Sequence, residues 1–236
     1  MNNLLLTICA RGGSKGVKGK NIKDLAGKPL IYYTIKQAKE WGKAQHIVVS
    51  TDSKEIATIA KEFGAEVPFL RPGELATDTA GKVGVIRHAL KFCEDIYKKK
   101  FDAVMDLDTT SPLRKVEDLE KAFNLFLSKK PKTLFSVVKA HRNPYFNMVE
   151  EDSEGKAQYS KSSGGFSRRQ DAPKVYDMNA SIYIYDREYL LDENNNKPVS
   201  DNSIIYLMDE ISRIDIDSEM DFKFIEFLVK ENIISL

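Results

Sequence analysis

Net charge is nearly absent from this sequence: 36 lysines and arginines against 35 aspartates and glutamates leave +1. That balance excludes a general binder of nucleic acid or membrane surfaces, whose signature is a strong overall basic excess. Cysteine is scarce too. Cys9 and Cys93 lie in apolar segments at no metal-ligand spacing, and read as reduced, buried thiols of a cytoplasmic protein. No apolar run approaches the ~20 residues of a membrane helix. The N-terminal run Leu4–Ile8 is short, has no basic flank and leads straight into Arg11, so it does not read as a targeting signal. Repeats and low-complexity tracts are missing. So are the two common nucleotide loops, the Walker A pattern and Gly-x-Gly-x-x-Gly, and dinucleotide binding therefore has no support. His88 and His141 offer no triad or metal spacing.

What is present is a glycine-rich cationic loop, Ala10-Arg11-Gly12-Gly13-Ser14-Lys15-Gly16-Val17-Lys18-Gly19-Lys20-Asn21, directly after a strand-like run. Between Arg11 and Lys28 there are six basic residues and one acidic residue, Asp24. Glycines let a backbone approach a ligand and turn its N–H groups inward. Such a loop at the carboxyl end of a first parallel strand is where an α/β protein holds a nucleotide's phosphates. An exposed turn with solvated lysines is the alternative.

The first 130 residues alternate strand and helix. Helical spacing runs from Leu30 to Trp41 and ends at Gly42; His46–Ser50 is a second strand. Asp52 and Glu55 resemble a capping box for a helix closed by Gly64. Glu66–Leu70 reads as a third strand, about Thr79–Lys99 as a long helix, Phe101–Asp108 as a strand and Val116–Lys129 as a helix. Repeated strand–helix–strand units imply a mostly parallel, twisted sheet covered on both faces, a three-layer α/β domain. After Thr133 the rhythm changes. Thr133–Lys139 and Tyr145–Val149 are strand-like, Glu150–Lys174 is polar, Ser181–Tyr185 returns to apolar alternation, and about Ser218–Glu231 closes the chain as a helix.

Four further stretches bear chemistry. In Ile214-Asp215-Ile216-Asp217, extended backbone puts both carboxylates on one side and both isoleucines on the other. Paired carboxylates repel unless a cation lies between them, and such oxygens suit Mg²⁺. Capping of the last helix by Asp217 or Ser218 is the alternative, and it leaves Asp215 unexplained. Thr109-Thr110-Ser111-Pro112-Leu113-Arg114 and Arg71-Pro72-Gly73-Glu74-Leu75-Ala76-Thr77-Asp78-Thr79 both follow strand-like runs. Arg168, Arg169 and Gln170 stand near Tyr176-Asp177-Met178-Asn179, and arginine forks match carboxylates well. A solvated basic surface explains them equally.

Taken together, these segments resemble the acylneuraminate cytidylyltransferases, the enzymes that make CMP-activated sialic acids and related nine-carbon acidic sugars. The resemblance spans nearly the whole chain and includes Ser50-Thr51-Asp52 and Asn179-Ala180-Ser181-Ile182-Tyr183. It implies a Rossmann-like nucleotidyltransferase fold, here a single domain over 1–236 in which about 140–176 serves dimerisation and covers substrate. It implies transfer of CMP from CTP to the anomeric hydroxyl of an acidic nine-carbon sugar, with release of pyrophosphate, dependence on Mg²⁺, and a homodimer. Arg11, Lys15 and Lys20 would act on the triphosphate, with Gly12, Gly13, Ser14, Asn21, Arg71, Asp78, Asp108 and Ser111 around the nucleotide. Asp215 and Asp217 would hold the metal; Arg169, Gln170, Asn179 and Tyr183 would face the sugar. The chain departs from the family's pattern at Asp108-Thr109, where many members have Gln-Pro, and at Asp177, where an Arg is frequent. With Asn143-Pro144-Tyr145-Phe146-Asn147 it looks closer to the legionaminate or pseudaminate branches. A cytidylyltransferase for 3-deoxy-manno-octulosonate and a non-catalytic nucleotide-binding relative are the alternatives.

Overall fold

The computed structural model describes residues 3–14, 16–162, 165–166 and 168–236. Leu4–Cys9 forms β1, buried along nearly its whole length because both its edges and both its faces are covered, as central parallel strands require. Two-residue strands β2 (Asp24–Leu25) and β3 (Lys28–Pro29) pair as a small hairpin below the glycine-rich loop. Helix α1 (Leu30–Trp41) follows and ends at Gly42, whose φ of 66° is the left-handed cap that glycine adopts without strain. Then come β4 (His46–Ser50), α2 (Lys54–Glu62), α3 (Lys82–Tyr97), β5 (Ala103–Leu107), α4 (Val116–Lys129) and β6 (Thr133–Lys139). β7 (Val149–Glu151) and β8 (Ala157–Tyr159) make an isolated hairpin. β9 (Tyr176–Asp186), α5 (Arg187–Leu191), β10 (Ser203–Leu207) and α6 (Glu219–Lys230) complete the chain.

The six-stranded sheet has the order β10-β6-β9-β5-β1-β4. β4 and β5 flank β1 in parallel, and β10 is parallel to β6. β9 alone is antiparallel, inserted between β5 and β6. One face packs Leu6, Ile8, Met105 and Ile184 against α1, α2 and α4; the other packs Leu5, Val104 and Tyr185 against α3. The expected three-layer α/β architecture with a mostly parallel sheet is thus present. A third cluster joins Val17 of the loop, Leu30 and Tyr33 of α1, Ile216, and Phe222 and Ile225 of α6. It fixes both sides of the cleft described below.

Several local readings are corrected. Glu66–Leu70 is no strand: Glu66 forms a single bridge to Val48, because the chain peels away toward Pro68. Tyr145–Val149 is largely turn, with Asn143 O accepting from Phe146 and Asn147 N–H. α3 begins at Lys82 rather than Thr79. The Asp215–Asp217 stretch is extended without joining the sheet, tied by Ile216 N–H to Thr110 O at 2.9 Å. Among the described residues no helix is long and apolar enough to cross a membrane.

Ile216 is fully buried in that third cluster. Ile216→Ala is expected to lower unfolding free energy by about 2–5 kcal/mol, the usual range for such a truncation, read by denaturant titration.

Candidate active site

Two distant segments meet at the carboxyl ends of β1 and β5. The backbone of Gly16 lies so close to Asp217 that a Cβ there would stand 1.9 Å from the Asp217 carbonyl oxygen. Lys20 reinforces the contact: its Nζ donates to Ile216 O and lies 3.5 Å from the Asp217 carboxylate. Asn21 fastens the loop from within, donating to Arg11 O at 2.9 Å and accepting from the Thr109 hydroxyl at 2.6 Å. Asp52, read from sequence as a helix cap, has a different role. Ser53 caps α2, and Asp52 Oδ1 instead accepts from Gly12 N–H at 2.8 Å. The cap of α6 falls on Ser218 in a reciprocal box with Asp221. The Asp217 side chain is thereby released from capping and stands 79% exposed at the cleft mouth.

The loop after β5 is clamped as firmly. Buried Gln37 donates to Pro112 O and Arg114 O at 2.9 and 2.7 Å. The Arg114 guanidinium, also buried, bonds Ser181 O at 2.7 Å and Thr34 Oγ1 at 3.2 Å. Burial pulls its pKa down to about 10, against the attraction of Asp108, Asp118 and Asp106.

Between these walls is a cleft of about 400 Å³. Arg11, Ser14 and Lys20 line it together with Asp108, Asp215 and Asp217. Burial raises the Asp215 carboxyl above its usual range; the Thr110 hydrogen bond opposes this, and the charges of Asp108 and Asp217 add to it. Burial also works against ionised Asp108, but the Lys82 ammonium and Thr110 outweigh it and hold that carboxyl low. Cys9 lines the cleft as well, yet burial and the nearby Asp106 push its thiol far up, so it is no nucleophile at neutral pH. Among the described residues no three metal-ligating side chains already surround one point. An anion-binding loop facing a carboxylate pair is suited to a polyphosphate with its counter-cation.

A cytidylyltransferase family model matches residues 5–230. The chain belongs to the cytidylyltransferase family. It is 50% identical to the post-translational flagellin modification protein B of Campylobacter coli, across 98% of this chain and 97% of that protein. It is 48% identical to the CMP-N,N'-diacetyllegionaminic acid synthase of Campylobacter jejuni, across 97% and 96%. Among solved structures, CMP:2-keto-3-deoxy-manno-octonic acid synthetase complexed with CTP superposes with a TM-score of 0.70 over 98% of this chain and 99% of that one, at 16% identity, a likeness of fold. The resemblance read from the motifs is borne out.

Within this cytidylyltransferase, Arg11, Ser14, Lys20, Asn21, Asp108, Asp215 and Asp217 line the one cleft, with Gly12 and Gly13 in the same loop. Lys15 and the side chain of Arg169 lie outside the described residues. Asp78 pairs with Arg11 at 2.7 Å. Arg71 is buried behind β4 on Ser50, and Ser111 donates to Asn179 O at 3.1 Å. Asn179, expected at the sugar, is buried: its amide donates to Ser212 O and Met208 Sδ and accepts from Ser136. Tyr183 is buried beneath Lys82, whose Nζ is 4.6 Å from its ring. Gln170 is exposed on a 3₁₀ turn. Asp177, one of the two departures from the family's pattern, is paired with Arg213 at 2.9 Å. Sequence reasoning missed Lys82 and Arg213, and did not foresee the bond from Gly12 N–H to Asp52. Asp106, a carboxylate inside an apolar strand, was the available sign that a cation must come from elsewhere.

Gly16→Ala forces a methyl into backbone rather than into a yielding side chain. CTP affinity, read by calorimetry, is expected to fall by about tenfold, the equivalent of the lower end of an overpacking cost. A second expectation concerns Asp215. Its folded-state pKa is raised, so ionisation at neutral pH opposes folding, and the neutral amide of Asp215→Asn relieves that opposition. The metal-free variant should melt above the parent in a calorimetric scan, while turnover is lost.

Proposed function

We propose that the protein transfers CMP from CTP to the anomeric hydroxyl of an N,N'-diacetyllegionaminate-type nine-carbon acidic sugar, releasing pyrophosphate. The observation that carries this reading is the meeting of the cationic loop with Asp215 and Asp217 at Lys20, in a chain 48% identical to a legionaminate-activating synthase. Arg11 and Lys20 hold the triphosphate and offset charge that accumulates on the departing pyrophosphate. Donors fixed in place before the reaction lower the barrier to such transfers more than any other single effect. Loop N–H groups orient the chain of phosphates so that the sugar hydroxyl attacks the α-phosphorus opposite the leaving oxygen.

Asp215 and Asp217 are the residues that would hold Mg²⁺. The raised carboxyl of Asp215, pressed by burial and by two neighbouring carboxylates, fits a cation, which would supply polarisation of a phosphoryl oxygen. The remaining coordination positions suit phosphate oxygens and water.

A homodimer accords with the β7–β8 hairpin. Its residues are exposed throughout, with Val149 at 63% and Tyr159 at 57%. A lone two-stranded hairpin is marginal in water, so a second copy of the chain is its natural support, and residues 140–176 are the segment we assign to that contact. Free Cys9 and Cys93 accord with a reducing cytoplasm, where CTP is available.

Pyrophosphate release with CTP and Mg²⁺ against legionaminate, pseudaminate, N-acetylneuraminate and 3-deoxy-manno-octulosonate tests the reading. Release is expected with legionaminate and to vanish on chelation. Silence with every nine-carbon acid, from folded protein that binds CTP, overturns it.

A further inference from the structure

Helix α6 carries an apolar face that its own protomer does not use. The inner side, Phe222, Ile225 and Leu228, is buried, and Phe222 and Ile225 support Ile216 in the third cluster. At about 100° per residue, Met220, Phe224 and Phe227 fall together on the opposite side. They are 74%, 47% and 53% exposed. One exposed apolar side chain is ordinary, but a row of large ones at helical spacing marks a surface that meets something.

The charges beside the stripe say what it meets. Glu219, Lys223, Glu226 and Lys230 run along one edge, all exposed. Two acids and two bases cancel, whereas a helix that lies on an anionic membrane carries a basic excess. Their order is self-complementary. The spacings of four, three and four residues read the same from either end, and reversal exchanges every Glu for a Lys. A second α6 laid antiparallel, with a twofold axis between Phe224 and Ile225, therefore sets Lys223 against Glu226 and Glu219 against Lys230. Glu219 also meets Lys23 of its own chain, so the two Lys223–Glu226 pairs are the ones that depend on the second copy. In the same register Phe227 enters between Met220 and Phe224 of the other helix, a ridge into a groove, and the two helix dipoles oppose. A contact about a twofold axis requires this kind of self-complementarity.

We propose that the outer face of α6 is a self-association surface on which a second copy of the chain packs its own α6 antiparallel. The contact is separate from the one assigned above to residues 140–176. A helix of 12 residues is about 18 Å long, and a pair of them buries less than the roughly 800 Å² per partner of a standard interface. Alone, the contact is concentration-dependent. Two hairpin-joined dimers, however, carry two such helices each, and engaging both at once gives a closed tetramer held by linked contacts.

Analytical ultracentrifugation over a concentration series tests this on the parent, Phe224→Glu, Lys223→Glu, Glu226→Lys and the double variant Lys223→Glu/Glu226→Lys. All three positions are exposed, and a melting scan shows that each variant is folded. The parent is expected to reach twice the mass of the hairpin-joined dimer, and Phe224→Glu to halve it. Each single charge reversal should raise the dissociation constant about tenfold, because the twofold axis sets like charges together twice in one contact. The double variant restores opposite charges and should return to within about twofold of the parent. A parent dimer that Phe224→Glu turns into a monomer supports the α6 contact and removes the hairpin contact instead. A mass that Phe224→Glu leaves unchanged, single reversals without effect, or a double variant no tighter than the single ones overturns the inference.

Discussion

The contact on which the site depends is one of backbone against backbone: Gly16 of the first loop on Asp217, near the other end of the chain. Neither segment belongs to the sheet, so neither inherits its position from strand pairing. They are held by the apolar cluster of Val17, Ile216, Phe222 and Ile225 beneath them and by Lys20 bonding across the seam. Burial of the isoleucines thereby sets the separation between the phosphate loop and the carboxylate pair. Core packing and chemistry are, at this point, the same constraint.

Around that seam the protein concentrates charges that a stability optimum would avoid. Asp108, Asp215 and Asp217 line one cleft, and Asp106, which shares Lys82 with Asp108, is buried outright. Lys82 compensates Asp106 and Asp108, and Asp215 is left with a raised carboxyl. Such local conflict, embedded in an otherwise apolar and well-paired framework, is what a site built for a charged ligand looks like before the ligand arrives.

Much of this was legible in the sequence, for reasons that differ by element. β1, β4 and β5 announce themselves as apolar runs because both their faces are covered, and α1 and α4 by helical spacing with identifiable ends. β10 escaped notice: it is an edge strand with Ile205 and Leu207 exposed, so its pattern carries no burial signal. The capping box at Asp52 was misread by one residue, and the difference is functional, since it frees Asp52 to hold Gly12. Loop residues with special backbone needs could be placed from sequence. The partners of Asn179 could not, because its amide meets Ser136, Met208 and Ser212 from three separate places, and nothing local foretells that.

The placement of β9 has a consequence for how the chain can assemble. β5 and β6 are neighbours in sequence but are never neighbours in the sheet; the slot between them waits for an antiparallel strand that ends at Asp186. On a ribosome, β1, β4 and β5 can pair as soon as they emerge, but the outer edge of β5 and both edges of β6 stay unpaired while some 40 further residues, most of them polar, are made. A nascent chain paused in that interval presents bare strand edges, which pair readily with other chains. The 140–176 stretch is thus the interval of synthesis in which the growing chain is open to strand pairing with its neighbours.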